Sequence, residues 1–434
     1  MLMNETSEAG CVLQPEQFIG DIVIGSQRVA VSLTASASAS GRLALDVEPI
    51  SVSGCSGSAL ELMRSISRPG NTINEFGLEC ESSDGKRLTS DRAYLAGYNH
   101  SSEGLHIQLR TAEAHLRMTG HETHDRPALC FSLLGFECYP PAHAVLELGS
   151  VVARGATRSA ATNEITGTIT VQASDKSAST DWRQQAERLL THLGLVLGFA
   201  RGAPLPVPIT EFYEGDHVDV TFYEAGGGHP SEMPPLPHLN LGPIVTTAVA
   251  HVDVVDAYRE TFETAIGWLL VPTTYDEVRF LTGMTALESL ASRFLEKSES
   301  SILGTSAFKR FAKQLRAFVD EQEYLEDTVR KTVKEKIPEL NRRSFSYKID
   351  AVFERWNISR TLIDDKVLAR LVRLRNSIVH QGGASESEDL WSSILVVREI
   401  LVRFVLAMLQ FDGIYQCYIG GRHMRRFPSC EPVG

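Results

Sequence analysis

Between residues 18 and 170, apolar positions come in short runs that alternate with polar ones and are separated by Gly, Ser, Asn and Asp clusters. Strands with one buried face show this period of two. The clearest runs are DIVIGSQRVAVSL, GRLALDVEPISV, GLHIQLRTAEAHLRM and AVLELGSVVA. They predict a β-rich N-terminal domain over 1–178, a sandwich or open barrel. Within it, TASASASG at 34–41 is small and polar, which predicts a mobile hairpin tip.

The pattern changes in the segment 179–244. DWRQQAERLLTHLGLVLGFARG spaces its apolar residues for one face of a helix, and Gly202 is placed to end it. The run ITEFYEGDHVDVTFYEA then predicts two further strands. A loop rich in Gly and Pro follows at 226–243, and such composition is typical of a domain boundary.

Everything after that loop is predicted to be helical. Apolar residues recur at intervals of three and four in six successive segments, at 275–297, 307–319, 324–337, 346–356, 364–380 and 391–410. Short connections between them predict a compact helical bundle over 245–434. The fold class expected for the whole chain is therefore α+β.

Composition supports a globular protein, since the chain has 434 residues and 43% of them are hydrophobic. The N-terminus has no basic segment followed by an apolar one, so we expect a cytoplasmic protein. The seven cysteines are scattered, which indicates free thiols. The segment 391–410 is long and mostly apolar, but Arg398, Glu399 and Arg403 lie near its middle, so a core helix is favoured over a membrane span.

Charge is distributed unevenly along the chain, whose formal net charge is -12. Residues 301–434 hold 22 Lys and Arg against 17 Asp and Glu, so the excess of acid lies entirely before them. The C-terminal part therefore tolerates a nucleic acid better than the N-terminal part does. Basic groups with nearby phenylalanines, such as FKRFAKQLR, fit either an RNA-guiding surface or ordinary solvated helix faces.

One segment carries the candidate chemistry, RLVRLRNSIVHQGG from Arg370 to Gly383. Asn376 and His380 are four positions apart, which puts them on one helix face and predicts a hydrogen bond that orients the imidazole. Arg375 is five positions before His380, about 140° around an ideal helix. Both groups reach one point more easily if a second copy of the helix meets the first across a twofold axis.

These residue types suit the cleavage of RNA. A guanidinium binds a phosphate with two prongs, and an imidazole transfers protons near neutral pH. RNA supplies its own nucleophile, the 2'-hydroxyl, which can attack the adjacent phosphorus to leave a cyclic phosphate. This chemistry requires no metal and no cofactor.

The pattern R-N-x-x-x-H at the end of a bundle helix resembles the signature of the HEPN superfamily. TALESLASRF from Thr285 and RRSFSYKIDAVFERW from Arg342 are similar to the preceding helices of its ApeA-type group. The resemblance covers about 253–410; before residue 240 it rests on domain order and β character alone. It implies a metal-independent endoribonuclease of anti-phage defence, acting by abortive infection, with Arg375, Asn376 and His380 as catalytic residues.

The same resemblance implies partners. They are an RNA substrate, a second copy of the chain joined through the bundle, and an activator of phage origin at the N-terminal domain. No membrane is expected.

Other interpretations stay open. Arg375 and Asn376 also fit a solvated helix face, with His380 capping the last carbonyls. The bundle also fits an inactive dimerisation or RNA-binding module, with the function in the N-terminal domain. Glu288, a carboxylate on an apolar helix, fits a partner of Arg375, a support for His380 or a surface residue. The histidines and cysteines between 115 and 138 lack the tight spacing of a zinc site.

Overall fold

A computed structural model of the chain describes residues 13–24, 27–38, 40–50, 75–101, 104–120, 124–157, 163–175, 181–226, 233–237, 241–271, 273–295, 299–381 and 389–433. The chain divides into two compact units, Met1–Val252 and Asp253–Gly434. The first unit is rich in strands and the second is mainly helical, so the expected α+β class is confirmed.

The first unit is built on one antiparallel sheet, and most of its strands alternate between buried and exposed positions as predicted. The strands are β1 (Glu16–Ile24), β2 (Gln27–Ala37), β3 (Leu43–Pro49), β4 (Phe76–Ser82), β5 (Arg87–Ser101), β6 (Gly104–Thr111), β7 (Glu113–Met118), β8 (His124–Leu134), β9 (Ala142–Leu146), β10 (Gly149–Arg154), β11 (Ile165–Ala173), β12 (Ile209–Gly215) and β13 (His217–Tyr223).

Six of these strands close into a ring. Their order is β4-β1-β2-β3-β6-β5, and β4 also pairs with β5. From β5 the sheet continues through β7, β13, β12, β8, β11 and β10 to β9. The inward side chains of the ring form one apolar core that includes Phe18, Ile22, Leu33 and Leu88. Ring closure removes sheet edges that would otherwise be open to other chains.

The predicted mobile tip at 34–41 is wrong over its first four residues. Thr34 and Ala35 pair with Asp46 and Leu45 of β3, and β2 extends to Ala37. Ala35 is fully buried. Its small side chain faces the core of the ring. The segment is therefore a strand with one buried face, despite its small and polar composition. Ala39, at the turn, lies outside the described residues.

The segment predicted between the two domains is part of the first unit. Helix α1 (Trp182–Arg201) ends at Gly202, whose φ of 75° is the left-handed conformation that glycine adopts without strain. β12 and β13 pair inside the large sheet. In the Gly/Pro-rich loop, Leu236 is buried and its N–H donates to the carbonyl of Ala200. Helix α2 (Gly242–Ala250) follows, and the division between units comes after Val252.

The second unit contains the six predicted helices, with their ends shifted by a few residues, together with shorter ones before them. Its helices are α3 (Val252–Ala257), α4 (Arg259–Leu270), α5 (Asp276–Phe294), α6 (Thr305–Asp320), α7 (Asp327–Lys336), α8 (Phe345–Arg355), α9 (Asp365–Gln381) and α10 (Leu390–Met408), with a 3-10 turn at Ile337–Asn341.

Helices α5 and α10 pack closely side by side. A Cβ added at Gly283 of α5 would lie 2.6 Å from Cγ1 of Val397 in α10, so only glycine permits this approach. Further along, the rings of Phe294 and Phe404 stack with centroids 6.5 Å apart. Almost every residue of α10 from Val396 onward is buried, as expected for a core helix. Among the described residues, no helix combines the length and apolar character needed to cross a bilayer.

The expectation that the C-terminal region is entirely helical is wrong. Three short antiparallel strands follow α10: β14 (Gly413–Cys417), β15 (His423–Phe427) and β16 (Glu431–Pro432). Gly420 and Gly421 have positive φ and form the turn between the first two. Buried and exposed residues alternate in β15 because one face covers the bundle core.

A buried ion pair ties this small sheet to the bundle. Arg403 and Glu399 of α10 are at most 1% exposed, and the Arg403 Nε donates to Glu399 Oε1 at 2.8 Å. The Tyr415 hydroxyl of β14 donates to the same oxygen at 2.7 Å. Arg403 Nη1 also donates to the carbonyl of Ser359 at 2.7 Å. Burial and the adjacent Glu399 carboxylate raise the pKa of Tyr415, so its hydroxyl stays a donor.

We expect Glu399→Leu and Arg403→Met each to lower the free energy of unfolding by about 3–5 kcal/mol, because each leaves an unpaired buried charge. The double variant should lose clearly less than the sum, since no charge is left behind. Urea unfolding of the three variants and the parent measures this cycle. Strict additivity would show that the two side chains are not energetically coupled.

Candidate functional site

Helix α9 presents the predicted site residues from a firmly packed position. Its N-terminus is capped by Asp364, whose Oδ1 accepts from the N–H of Val367 at 2.8 Å. One face of the helix is buried at four positions with period three to four: Leu368, Leu371, Leu374 and Ile378. This face packs against α5, α8 and α10. The packing fixes the rotation of α9 and hence which of its residues face solvent.

The three candidate residues lie on the last turns of α9, outside the buried stripe. Asn376 and His380 are exposed, and so is Val379 between them, which is 57% exposed. Arg375 is half-buried on the flank of the helix. Residues 382–388, which follow the helix, lie outside the described residues.

Arg375 forms an ion pair with α5. Its Nη2 donates to Oε2 of Glu288 at 3.2 Å, and each side chain is 38% exposed. Of the three roles open to Glu288 from the sequence, the structure therefore gives pairing with Arg375. One of the five N–H donors of the guanidinium is used in this bond, so donors remain for an anionic ligand.

The hydrogen bond predicted between Asn376 and His380 is not formed in the described part of the chain. Both side chains lie on the exposed face, as their spacing predicts, but neither is held by a partner there. Arg375, by contrast, is held on the side of α5. A single chain thus brings the three residues to one end of one helix without joining them by hydrogen bonds.

The sequence analysis missed the cationic character of α9 as a whole. Besides Arg375, the helix carries Lys366, Arg370 and Arg373, and Asp365 is its one acidic residue. Arg373 is exposed. The signal is visible in the sequence as R-x-x-R-x-R in the segment RLVRLRNSIVHQGG. Such a helix provides a local positive potential in a unit whose charges balance as a whole, with 26 Lys and Arg and 26 Asp and Glu in 253–434.

A second cationic surface lies on α6. The helix has four basic residues and no acidic one before Asp320. Phe311 and Phe318 on the same helix are 43% and 58% exposed. Exposed aromatic rings beside cationic groups are the combination on which single-stranded nucleic acids bind, through base stacking and phosphate contacts.

The cysteines and histidines considered above as zinc ligands show no sign of a zinc site in the described part of the chain. The Cys130 thiol is a hydrogen-bond partner of the Thr170 hydroxyl, and Cys138 is buried. Burial raises the pKa of Cys130 to about 12, which keeps the thiol protonated. His115 Nδ1 lies 3.1 Å from the Thr221 hydroxyl. His121 lies outside the described residues, among which no group of three or more metal-binding side chains converges.

Comparison with known proteins identifies no relative of this chain. No protein-family model, no curated protein and no solved structure matches the chain. The resemblance to the HEPN superfamily therefore rests on the residues quoted from the sequence.

Proposed function

We propose that the protein is a metal-independent endoribonuclease of the HEPN type that acts as a homodimer in the cytoplasm, in anti-phage defence by abortive infection. The observation that carries the proposal is the placement of R-N-x-x-x-H at the exposed end of α9, a helix with a buried leucine stripe. The packing of α9 against its neighbours does not explain why an arginine, an asparagine and a histidine occur together outside the buried stripe. The cationic flank of α9 and the aromatic and basic surface of α6 support an RNA substrate.

In the proposed reaction, an imidazole of His380 accepts the proton of the ribose 2'-hydroxyl as its oxygen attacks the adjacent phosphorus. The bond from phosphorus to the 5'-oxygen breaks, and a second imidazole gives its proton to that leaving oxygen. The products are a 2',3'-cyclic phosphate and a 5'-hydroxyl. Arg375 stabilises the negative charge that develops on the phosphate oxygens. Asn376 orients His380 once the substrate or the partner chain orders the site.

Two features favour the dimer as the active form. The reaction uses one base and one acid, and each chain contributes a single histidine to the end of α9. Val379, which is 57% exposed between Asn376 and His380, offers an apolar contact at that end. A twofold axis beside it would place both histidines and both arginines around one phosphate. In this proposal the β-rich unit restrains the nuclease until an activator of phage origin binds it.

We expect His380→Ala to lower the rate of RNA cleavage by about a hundredfold or more, because it removes the proton-transfer group. Toxicity on expression should disappear with it, while the thermal melting curve stays that of the parent. His423→Ala is the matched control, since His423 is also an exposed histidine of the second unit. Cleavage at the parent rate by His380→Ala would refute the assignment. RNA that is bound but never shortened by the parent would favour an inactive binding module instead.

A chelator should leave cleavage unchanged, because the proposed steps need only side chains and the 2'-hydroxyl. The measurement compares cleavage of one labelled RNA with and without EDTA and identifies the product ends by mass spectrometry. Cyclic phosphate ends are expected. A substrate with 2'-deoxyribose at the cleaved position should resist. Loss of activity with EDTA, restored by added magnesium, would point to a metal-dependent nuclease.

Exchange of the two charges between α5 and α9 separates the role of Arg375 in catalysis from its role in stability. Arg375→Glu combined with Glu288→Arg preserves an exposed ion pair, which contributes only about 0–1 kcal/mol. We expect this double variant to unfold like the parent and yet to lose cleavage, because the guanidinium now projects from the wrong helix. Urea unfolding and the RNA assay are both required. Retained cleavage would show that any cation at this surface suffices.

A further inference from the structure

A cleft of about 340 Å³ opens on the sheet of the first unit, lined by residues of β5, β7, β13 and the start of α1. Leu88, Leu116 and Val220 of these strands belong to the buried core. Their neighbours Arg87, Arg117 and Asp219 therefore project from the other face of the sheet, since side chains alternate along a strand. None of these residues was singled out by the sequence pattern for an anion site.

The strand register places like charges opposite each other in this cleft. Arg87 is the direct partner of Arg117 in the β5–β7 pair, and Arg117 is the partner of Asp219 in the β7–β13 pair. Like charges in directly opposite positions destabilise a sheet. Asp219 relieves part of this repulsion, because the Arg117 Nε donates to its Oδ1 at 2.8 Å.

The Asp219 carboxylate also binds the third arginine of the cleft. Arg183, in the first turn of α1, donates through Nη1 to Asp219 Oδ2 at 2.9 Å, and its guanidinium lies 4.4 Å from the centre of the Phe212 ring. Burial raises the pKa of Asp219, but the hydrogen bonds from Arg117 and Arg183 outweigh burial, so its pKa lies below the usual value. One ionised carboxylate thus serves two arginines. Arg87 lies opposite Glu81 in the β4–β5 pair but, among the described residues, forms no ion pair.

The cleft contrasts with the unit around it. Residues 1–252 contain 28 Asp and Glu against 16 Lys and Arg, whereas the cleft is lined by three arginines and one aspartate. Glu187 bonds Arg183 at 3.2 Å, and Glu113 lies 3.4 Å from His115, so carboxylates stand at its edge. The hydroxyl residues Thr89 and Thr221 complete the lining. Three arginines thus meet on one patch of an acidic unit, with carboxylates between them and at the edge of the cleft.

We infer that this cleft binds the phosphate group of a small phosphate monoester. Its volume is at the lower end of the range for small-molecule sites and suits one compact ligand. A phosphate placed between Arg87 and Arg117 would convert their repulsion into two charge-assisted hydrogen-bonded contacts. Arg183 and the threonine hydroxyls supply further donors. The inference stands on the first unit alone and is independent of the proposed nuclease.

Binding of inorganic phosphate, adenosine 5'-monophosphate and adenosine to the full chain, measured by titration calorimetry at low salt, tests the inference. We expect the monophosphate to bind and adenosine not to bind. Arg87→Ala should weaken monophosphate binding about tenfold or more, because it removes a hydrogen-bonding cation from the ligand. Arg92→Ala is the matched control, since Arg92 is on the same strand but pairs with Glu75 outside the cleft. It should bind like the parent.

The inference would be overturned by a lack of monophosphate binding or by equal binding to Arg87→Ala and the parent. If inorganic phosphate binds where the monophosphate does not, the cleft is a free-anion site. A single-stranded RNA that loses affinity through Arg87→Ala, while the monophosphate fails to bind, would mark the cleft as a polynucleotide contact and would also count against the inference. Thermal melting of each variant shows that it is folded.

Discussion

The second unit depends on a charge pair that must be satisfied without water. Helix α10 is buried along most of its length, yet Glu399 and Arg403 stand in it at 1% and 0% exposure. Removing two charges from water is costly, and their attraction compensates only when further hydrogen bonds complete the site. The spacing of four puts both groups on one face of the helix, within reach of each other. Its other bonds reach outward to Tyr415 and the carbonyl of Ser359.

Those outward bonds link the core helix to the elements on either side of it. Ser359 lies just before α9, so one anchor of the ion pair is close to the start of the helix that carries the candidate site. From there, the buried stripe that ends at Ile378 fixes the rotation of α9 against its neighbours. The polar face is then determined by the packing of the apolar one. Arg375 reaches α5, while Asn376 and His380 face solvent on a rigid support.

Much of this could be predicted from the sequence, because alternation and the helical period are local signals. The closure of the ring could not, since it requires β4 to pair with β1, far away in the sequence, in addition to its local hairpin with β5. The strands after α10 are five residues long or shorter and give too few alternations to compete with the preceding helical pattern. The signature residues were found by spacing. The choice of Glu288 as the partner of Arg375, across 87 positions, needed the fold.

The ion pair of Arg375 also suits the phosphate contact that we propose for it. An exposed pair contributes about 0–1 kcal/mol, so an incoming phosphate would displace Glu288 at small cost. Until then, the Glu288 carboxylate restricts the long side chain of Arg375. Phosphate binding would therefore cost less side-chain conformational entropy. A buried pair such as Glu399 and Arg403 could not serve in this way, because breaking it would leave an unpaired charge without water. The pairs Arg403–Glu399 and Arg375–Glu288 are thus of opposite character, since one is buried in the fold and the other is exposed and open to exchange.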